Sequence, residues 1–152
     1  RFSTILRDVL NRLHLDITRD NLGKISYGLR SNLREDILAK VMADDAEQAD
    51  KDVVVVDGIR RWADITHLNE KDNFILVGID ADSKKRYERL VERAENEGDS
   101  TKTYDQFLKD EKKEADADIP DIMEKATEKL DNNGTIKDLH NNIEELLNKY
   151  GK

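Results

Sequence analysis

The chain has 152 residues, which is enough for one domain with a hydrophobic core. Its formal net charge of −8 excludes a nucleic-acid polymer as partner, because such polymers are bound by basic surfaces, but leaves room for a mononucleotide held by a few arginines. The absence of cysteine excludes disulfides and a thiolate metal site, and no apolar run approaches the roughly 20 residues of a membrane helix, so we expect a cytoplasmic protein without membrane contact.

The first third of the chain has three segments with apolar residues at helical spacing. The spacing predicts a helix over residues 2–15, a second that opens at Thr18, and a third over about residues 33–49. Ser3 is a candidate cap for the first helix, since a hydroxyl at a helix start can accept a free backbone N–H.

The middle of the chain contains two apolar runs that predict buried strands. Residues 53–57 place four β-branched side chains before an Asp-Gly pair, and residues 74–80 form the second run. A short helix is expected between them over residues 62–68, and residues 127–130 are a weaker third strand.

The second half is dominated by charged amphipathic segments. These predict helices over residues 83–97, 103–115 and 136–150. A mobile loop is expected at Gly98, and residues 131–135, Asp-Asn-Asn-Gly-Thr, predict a turn before the last helix.

Strands that alternate with helices predict an α/β fold in three layers, α/β/α, with a parallel sheet, formed as a single domain over residues 1–152. Three strands are few for a sheet covered by so many helices. The chain also enters a helical segment directly after Arg1. We therefore expect that an N-terminal strand is missing.

Residues 53–61 form the first candidate site. Ligands of open parallel sheets bind at the carboxyl ends of strands, which is where Asp57 is expected. A carboxylate there can hold Mg²⁺ directly or through water, and Arg60 can pair with a phosphate. The alternative is an Asp-Gly turn followed by a solvated arginine.

Three arginines on one helical face form the second candidate site. Arg86, Arg89 and Arg93 precede the loop at Gly98, an arrangement that suits a lid closing over a triphosphate. The alternative is a surface helix held by salt bridges, since glutamates alternate with these arginines.

Separated arginines in the first two helices form the third candidate site. Arg7, Arg19 and Arg30, with Ser3 and Asn21, can converge on one phosphate, helped by the free N–H groups of a helix start. The alternative is a set of scattered surface arginines. The turn at residues 131–135 is a fourth candidate, for a purine edge; its alternative is a plain turn in which the last residue caps the helix.

In this order, the segments resemble P-loop kinases related to dephospho-coenzyme A kinase, and most of all the archaeal adenylate-kinase-like and deoxynucleotide monophosphate kinase-like proteins. The resemblance covers nearly the whole chain. It is carried by residues 2–8, 18–24, 29–30, 55–60, 86–93, 103–108 and 131–135.

The resemblance implies phosphoryl transfer from ATP, with Mg²⁺, to a nucleoside or deoxynucleoside monophosphate, with dephospho-coenzyme A as the second choice. It implies an acceptor region over about residues 1–50 and a lid over about residues 86–115. The implied acceptor-binding residues are Ser3, Arg7, Arg19, Arg30 and Arg60. The implied donor-binding residues are Arg89, Asn132 and Gly134. The implied catalytic residues are Asp57, which is also the magnesium ligand, and Arg93.

One defining part of these kinases has no counterpart here, namely the first strand with its glycine-rich phosphate loop ending in Lys-Ser/Thr. Gly23-Lys24 is no substitute, because it lacks a preceding strand and spaced glycines. Two hypotheses follow. Either the phosphate loop lies outside these 152 residues, or the chain is a non-catalytic scaffold of kinase-like fold that binds a protein partner.

Overall fold

The sequence of helices and strands gives an α/β structure that divides into two units, Arg1–Phe74 and Ile75–Lys152. The computed structural model describes residues 1–95, 98–112 and 117–151. Within these ranges, helices flank a small parallel sheet, which confirms the predicted α/β class. The predicted single domain, which also includes residues outside the described ranges, stays a prediction. None of the described helices is long and apolar enough to cross a membrane.

The first unit is helical, as its periodicity predicts. Its helices are α1 (Phe2–Arg12), α2 (Arg19–Asn32), α3 (Ile37–Gln48) and the short α4 (Trp62–Ile65). The predicted start of α2 is confirmed, because the Thr18 hydroxyl accepts the Asn21 N–H at 3.1 Å. The predicted cap at Ser3 is wrong. Helix α1 begins at Phe2 with Arg1 as its N-cap residue, so Ser3 lies inside its first turn.

The core of the first unit lies between α1 and α3. Both helices place apolar side chains three or four residues apart, which brings them onto one face. The buried side chains are Phe2, Leu6, Leu38, Ala39 and Met42. Full burial of each large side chain contributes about 1.5–3 kcal/mol, so this cluster stabilises the unit.

The predicted buried strand over residues 53–57 does not form. The segment has irregular backbone, and the exposed fractions of Val53, Val54 and Val55 are 48%, 42% and 79%. Val56 of this segment packs against the core, as does Ile59 just after it. A β-branched run becomes a strand when neighbouring strands pair with it and cover it, and the described part of the first unit contains no strand.

The second unit contains the sheet. Strands β1 (Val77–Asp80) and β2 (Glu128–Asp131) are parallel, in a register that pairs Val77 with Glu128 and Asp80 with Asp131. This confirms the third predicted strand, while the second is three residues shorter than expected. Ile79 on β1 is 51% exposed, so this sheet is less buried than its sequence predicts.

Between and after the two strands the chain is mainly helical. The elements are α5 (Ser83–Arg93), a 3₁₀ turn (Asp99–Thr101), α6 (Tyr104–Asp110), α7 (Ile119–Lys125) and α8 (Ile136–Tyr150). The last helix has its predicted bounds. Helices α5 and α6 end at Arg93 and Asp110, earlier than predicted, and residues 96–97 and 113–115 of the predicted lid lie outside the described residues. Helix α7 was not predicted, although Pro120 in its first turn is a typical start signal.

Two contacts fix helices against the sheet. A Cβ atom at Gly78 would lie 3.0 Å from Met123 Sδ and 3.2 Å from Ala126 Cβ, so α7 lies directly against the β1 backbone. At the other end, Lys149 and Tyr150 of α8 both donate to Glu128 of β2. The bond from Lys149, followed by that from Tyr150, lowers the pKa of the Glu128 carboxyl.

Candidate functional site

The carboxyl ends of β1 and β2 lie side by side, because parallel strands run in the same direction. The backbone N–H of Asn132 donates to the Asp80 carbonyl at 2.7 Å, which extends the pairing one residue beyond β2. The Asn133 side chain then accepts the Asp82 N–H at 2.8 Å. The segments that leave the two strands are therefore held together where ligands of parallel sheets bind.

The turn after β2 is fixed by its own side chains. The Asp131 carboxylate accepts the Asn133 N–H at 2.9 Å, and the Asp138 carboxylate accepts the Thr135 N–H at 2.8 Å. The hydroxyl and backbone bonds from Thr135 lower the pKa of Asp138. The predicted cap at Thr135 is confirmed, since its hydroxyl accepts the Asp138 N–H.

A cavity of about 610 Å³ opens beside these strand ends. It is lined by Asp80 and Asn132 from the strand ends and by Arg86, Arg89 and Arg93 from α5. This volume lies within the range of small-molecule sites. The structure thus places all three arginines of the second candidate site on one cavity.

The residues predicted to bind the donor meet in this region. Arg89 donates from Nη1 to the Asn132 carbonyl at 2.8 Å and from Nη2 to the Gly134 carbonyl at 3.4 Å. A second cavity of about 360 Å³ is lined by the same three residues together with Thr135, Ile136 and Leu139. Arg89 therefore joins α5 to the turn and borders both cavities.

The other two arginines have carboxylate partners. Arg86 Nη1 lies 2.6 Å from Glu111 Oε1, and Arg93 Nη2 lies 3.3 Å from Glu95 Oε2. The arginines are thus held by salt bridges, as the alternative interpretation expects, and they also line a cavity, while the lid stays a prediction.

Aromatic packing holds α5 and α6 together next to the cavity. The ring centroids of Tyr87 and Tyr104 are 5.3 Å apart, and Phe107 packs within 6.2 Å of both rings. The Ser83 and Tyr104 hydroxyls are hydrogen-bonded at 2.6 Å, and Tyr87 donates to the Lys102 carbonyl at 3.0 Å. These contacts fix the position of α5, the helix that carries the three arginines.

In the first unit, Asp57 follows the irregular segment and not a strand end as predicted. Its carboxylate is exposed and lies 3.0 Å from Arg1 Nε. Among the described residues, no group of three or more His, Cys, Asp or Glu gathers as a metal site. The Asp57 carboxylate already has a cationic partner, which Mg²⁺ would replace, since this ion takes one or two protein carboxylates beside water and phosphate oxygens.

Arg30 has a buried position. Its Nη2 lies 2.6 Å from Asp64 Oδ1, and its Nη1 donates to the Glu35 carbonyl at 2.6 Å. The side chains of Arg30 and Asp64 are only 8% and 4% exposed. The other oxygen of Asp64 accepts the backbone N–H groups of Arg60 and Arg61 at 3.0 and 3.1 Å. Arg30 therefore anchors the start of α4.

Of the other predicted acceptor residues, three lie on helices of the first unit, and Arg60 lies in the irregular segment before α4. Ser3 and Arg7 are one turn apart on α1 and half-buried, so they share a face. Arg19 is the first residue of α2 and is exposed, as is Arg60. The structure thus groups Arg30 with the Arg60 backbone, and Ser3 with Arg7.

Comparison with known proteins finds similar archaeal proteins. The chain is 28% identical over 152 residues to the UPF0200/UPF0201 protein of Archaeoglobus fulgidus, a match that covers 97% of this chain and 46% of that protein. UPF0200 proteins of Methanoregula boonei and Thermococcus kodakarensis are 25% and 26% identical, over 78% and 80% of their lengths. The chain thus spans less than half of the Archaeoglobus protein. No protein-family model matches the chain.

Asp80 and Glu111 are among the cavity residues that the sequence did not single out. Asp80 ends β1, and the strand-end argument applied to Asp57 would have found it. Glu111 pairs with Arg86 across 25 positions of sequence, and such a distant ion pair leaves no local pattern.

Proposed function

We propose that this chain is part of an ATP-dependent kinase of P-loop NTPase-like, three-layer α/β/α fold that phosphorylates a small acceptor. A nucleoside or deoxynucleoside monophosphate is the favoured acceptor, and dephospho-coenzyme A is the second. The observation that carries the proposal is the cavity at the carboxyl end of β1, where Arg86, Arg89 and Arg93 line a space of ligand size. We propose the cytoplasm as its compartment, since the substrates are soluble nucleotides.

The two cavities of the second unit suit the two parts of a donor nucleotide. Arginine side chains pair with phosphate oxygens, so the larger cavity is assigned to the phosphates. The smaller cavity has apolar side chains, Ile136 and Leu139, next to the polar backbone of Asn132 and Gly134. An apolar surface with a few polar groups suits a planar base.

Phosphoryl transfer needs little covalent chemistry from the protein and relies on positioning and charge stabilisation. Arg93 lies in the last turn of α5 and is assigned to the charge that spreads over the transferred group in the transition state. Asp57 would hold Mg²⁺, which when bound supplies neutralisation of phosphate oxygens. The assigned acceptor residues are Ser3, Arg7, Arg19 and Arg60. Arg30 is assigned to the acceptor region as a structural residue, because its ion pair with Asp64 anchors the start of α4.

The proposal includes the phosphate loop that the resemblance implies and that has no counterpart in these 152 residues. The exposed Val53–Val55 run supports it, because a run of this kind is normally covered by neighbouring strands. We propose that further chain supplies the strand and the phosphate loop. The greater length of the archaeal relatives agrees with this.

A non-catalytic scaffold of kinase-like fold is the second candidate. It is favoured because all three cavity arginines have partners within the protein. These partners explain the positions of the arginines without any ligand. In that case the partner is another protein and ATP is not hydrolysed.

The test is an ADP-formation assay on the protein made from its complete gene, with ATP, Mg²⁺ and a panel of nucleoside monophosphates, deoxynucleoside monophosphates and dephospho-coenzyme A. We expect acceptor-dependent ADP formation. We also expect Arg93→Ala to lower kcat by about 100-fold or more without lowering the melting temperature. Arg12→Ala, which removes an exposed arginine at the end of α1, is the matched control. No ADP formation with any acceptor would refute the kinase proposal in favour of the scaffold.

A further inference from the structure

The larger cavity has a balanced formal charge, which is unusual for a site that receives phosphates. Its lining contains three arginines, and it also contains three carboxylates, Asp80, Glu92 and Glu111. An incoming polyanion therefore meets no net positive charge until one of the internal carboxylates moves away or is neutralised.

Glu111 differs from the other two carboxylates in its contact. It lies directly on Arg86, at 2.6 Å, and its side chain is 28% exposed. Glu92 is exposed, and Asp80 accepts the Ala81 N–H at 2.8 Å. Glu111 is thus the cavity carboxylate that occupies a cavity arginine. A phosphate that pairs with Nη1 of Arg86 takes the place of this carboxylate.

We propose that Glu111 is an internal counter-ion of the cavity, which an anionic ligand displaces from Arg86. The inference rests on the proposed function, which assigns phosphates to this cavity. A single phosphate that replaces Glu111 exchanges one anion for another on Arg86. A triphosphate has more anionic oxygens for further contacts, but Arg89 and Arg93 also have internal partners that it would replace.

The ion pair also has a plain structural interpretation, because Glu111 follows the last residue of α6 and ties that helix to α5. The two interpretations differ in their effect on binding. A purely structural pair predicts that its loss loosens the cavity wall and weakens anion binding. A counter-ion predicts that its loss strengthens anion binding.

The experiment is calorimetric titration of inorganic tripolyphosphate and inorganic phosphate into the full chain, in magnesium-free buffer of low ionic strength. The variants are Glu111→Gln and the matched control Glu92→Gln, which removes the same charge from the same lining without touching Arg86. We expect Glu111→Gln to bind tripolyphosphate roughly two- to fivefold more tightly than the unmodified chain, the range set by a typical exposed ion pair. Its gain for phosphate should be of similar size, because both ligands replace the same carboxylate, while Glu92→Gln changes both affinities less.

The other outcomes are decisive as well. Equal gains in both variants would show a general charge effect and overturn the role of Glu111. Unchanged or weaker binding by Glu111→Gln, when the unmodified chain binds, would overturn the inference and leave the kinase proposal in place. Binding by none of the three proteins would overturn both. Tighter binding by Glu111→Gln in a protein that forms no ADP would support the counter-ion and remove the kinase activity.

Discussion

The burial of Arg30 indicates which of two roles this residue has, acceptor binding or structural anchoring. The resemblance assigns it to the acceptor, but its guanidinium is enclosed and paired with Asp64. Breaking a buried pair leaves an uncompensated charge, so Arg30→Met is expected to lower the free energy of unfolding by about 3–5 kcal/mol. Lys40→Met is the control, because it breaks the exposed pair with Asp44, which contributes at most about 1 kcal/mol.

Urea denaturation monitored by circular dichroism measures both variants. If Arg30→Met keeps its stability while the KM for the acceptor rises, Arg30 binds the acceptor and is not a structural anchor.

A second residue-scale prediction concerns Asp36, which precedes α3. Hydrogen bonds from Arg34 and then His67 lower the pKa of the Asp36 carboxyl from 3.8 to about 2. A carboxyl whose pKa is lower in the folded state stabilises the fold above pH 3.8, and this contribution is lost as the pH falls through about 2. Asp36→Asn should therefore be less stable than the unmodified chain at pH 5, with the difference closing near pH 2.

Denaturation midpoints in urea at several pH values test this, with Asp44→Asn as the surface control. A difference between Asp36→Asn and the unmodified chain that stays constant from pH 5 to pH 2 would contradict the assignment.

The residue scale also shows what sequence can reveal about the site. The resemblance groups Arg89, Asn132 and Gly134 as donor-binding residues, and the structure brings them into contact. The carboxylate partners of Arg93 and Arg86 differ in how far along the chain they lie from their arginines. Glu95 lies next to Arg93 in the same segment and was visible as part of a charged helix, whereas Glu111 reaches Arg86 only through the packing of α6 on α5.

At the scale of elements, helices were easier to predict than strands. A helix forms its hydrogen bonds within one segment, so the spacing of apolar residues was enough to predict α1, α2 and α8. A strand depends on neighbours that sequence does not show. The weak candidate at residues 127–130 therefore became β2, because β1 pairs with it, while the strongly β-branched run at residues 53–57 remained irregular.

The contact between β1 and α7 gives an element-scale prediction. A side chain at Gly78 would overlap Met123 and approach Ala126, so Gly78→Val should lower the free energy of unfolding by about 1–3 kcal/mol through overpacking. Gly28→Ala is the contrasting variant. This glycine lies inside α2 with open space around its Cβ position, so the change should raise stability by about 0.5–1 kcal/mol.

A double variant tests the cause of the Gly78→Val effect. Met123→Ala should restore part of the stability lost by Gly78→Val, because it removes the overlapping sulfur. If the two losses simply add, the close approach is not the source of the destabilisation.

At the scale of the whole molecule, the exposed valine run makes the proposed completion of the sheet testable. If a further strand pairs with residues 53–56, their amide protons become hydrogen-bonded and protected. In the 152-residue chain these amides lie in irregular, exposed backbone, so we expect them to exchange rapidly. In the protein made from the complete gene, we expect slower exchange, comparable with that of core elements.

Hydrogen–deuterium exchange with mass spectrometry compares the two forms and also gives their intact masses. A strand with its loop and crossover takes roughly 30 residues, so the complete protein should exceed 17.5 kDa by about 3 kDa or more. The amides of α1 serve as the internal reference, since this helix is hydrogen-bonded within itself and should be protected in both forms. Fast exchange at residues 53–56 in a longer protein would mean that the additional chain does not extend the sheet there. The phosphate loop would then have no strand to hold it, and the scaffold hypothesis would be the better account of this fold.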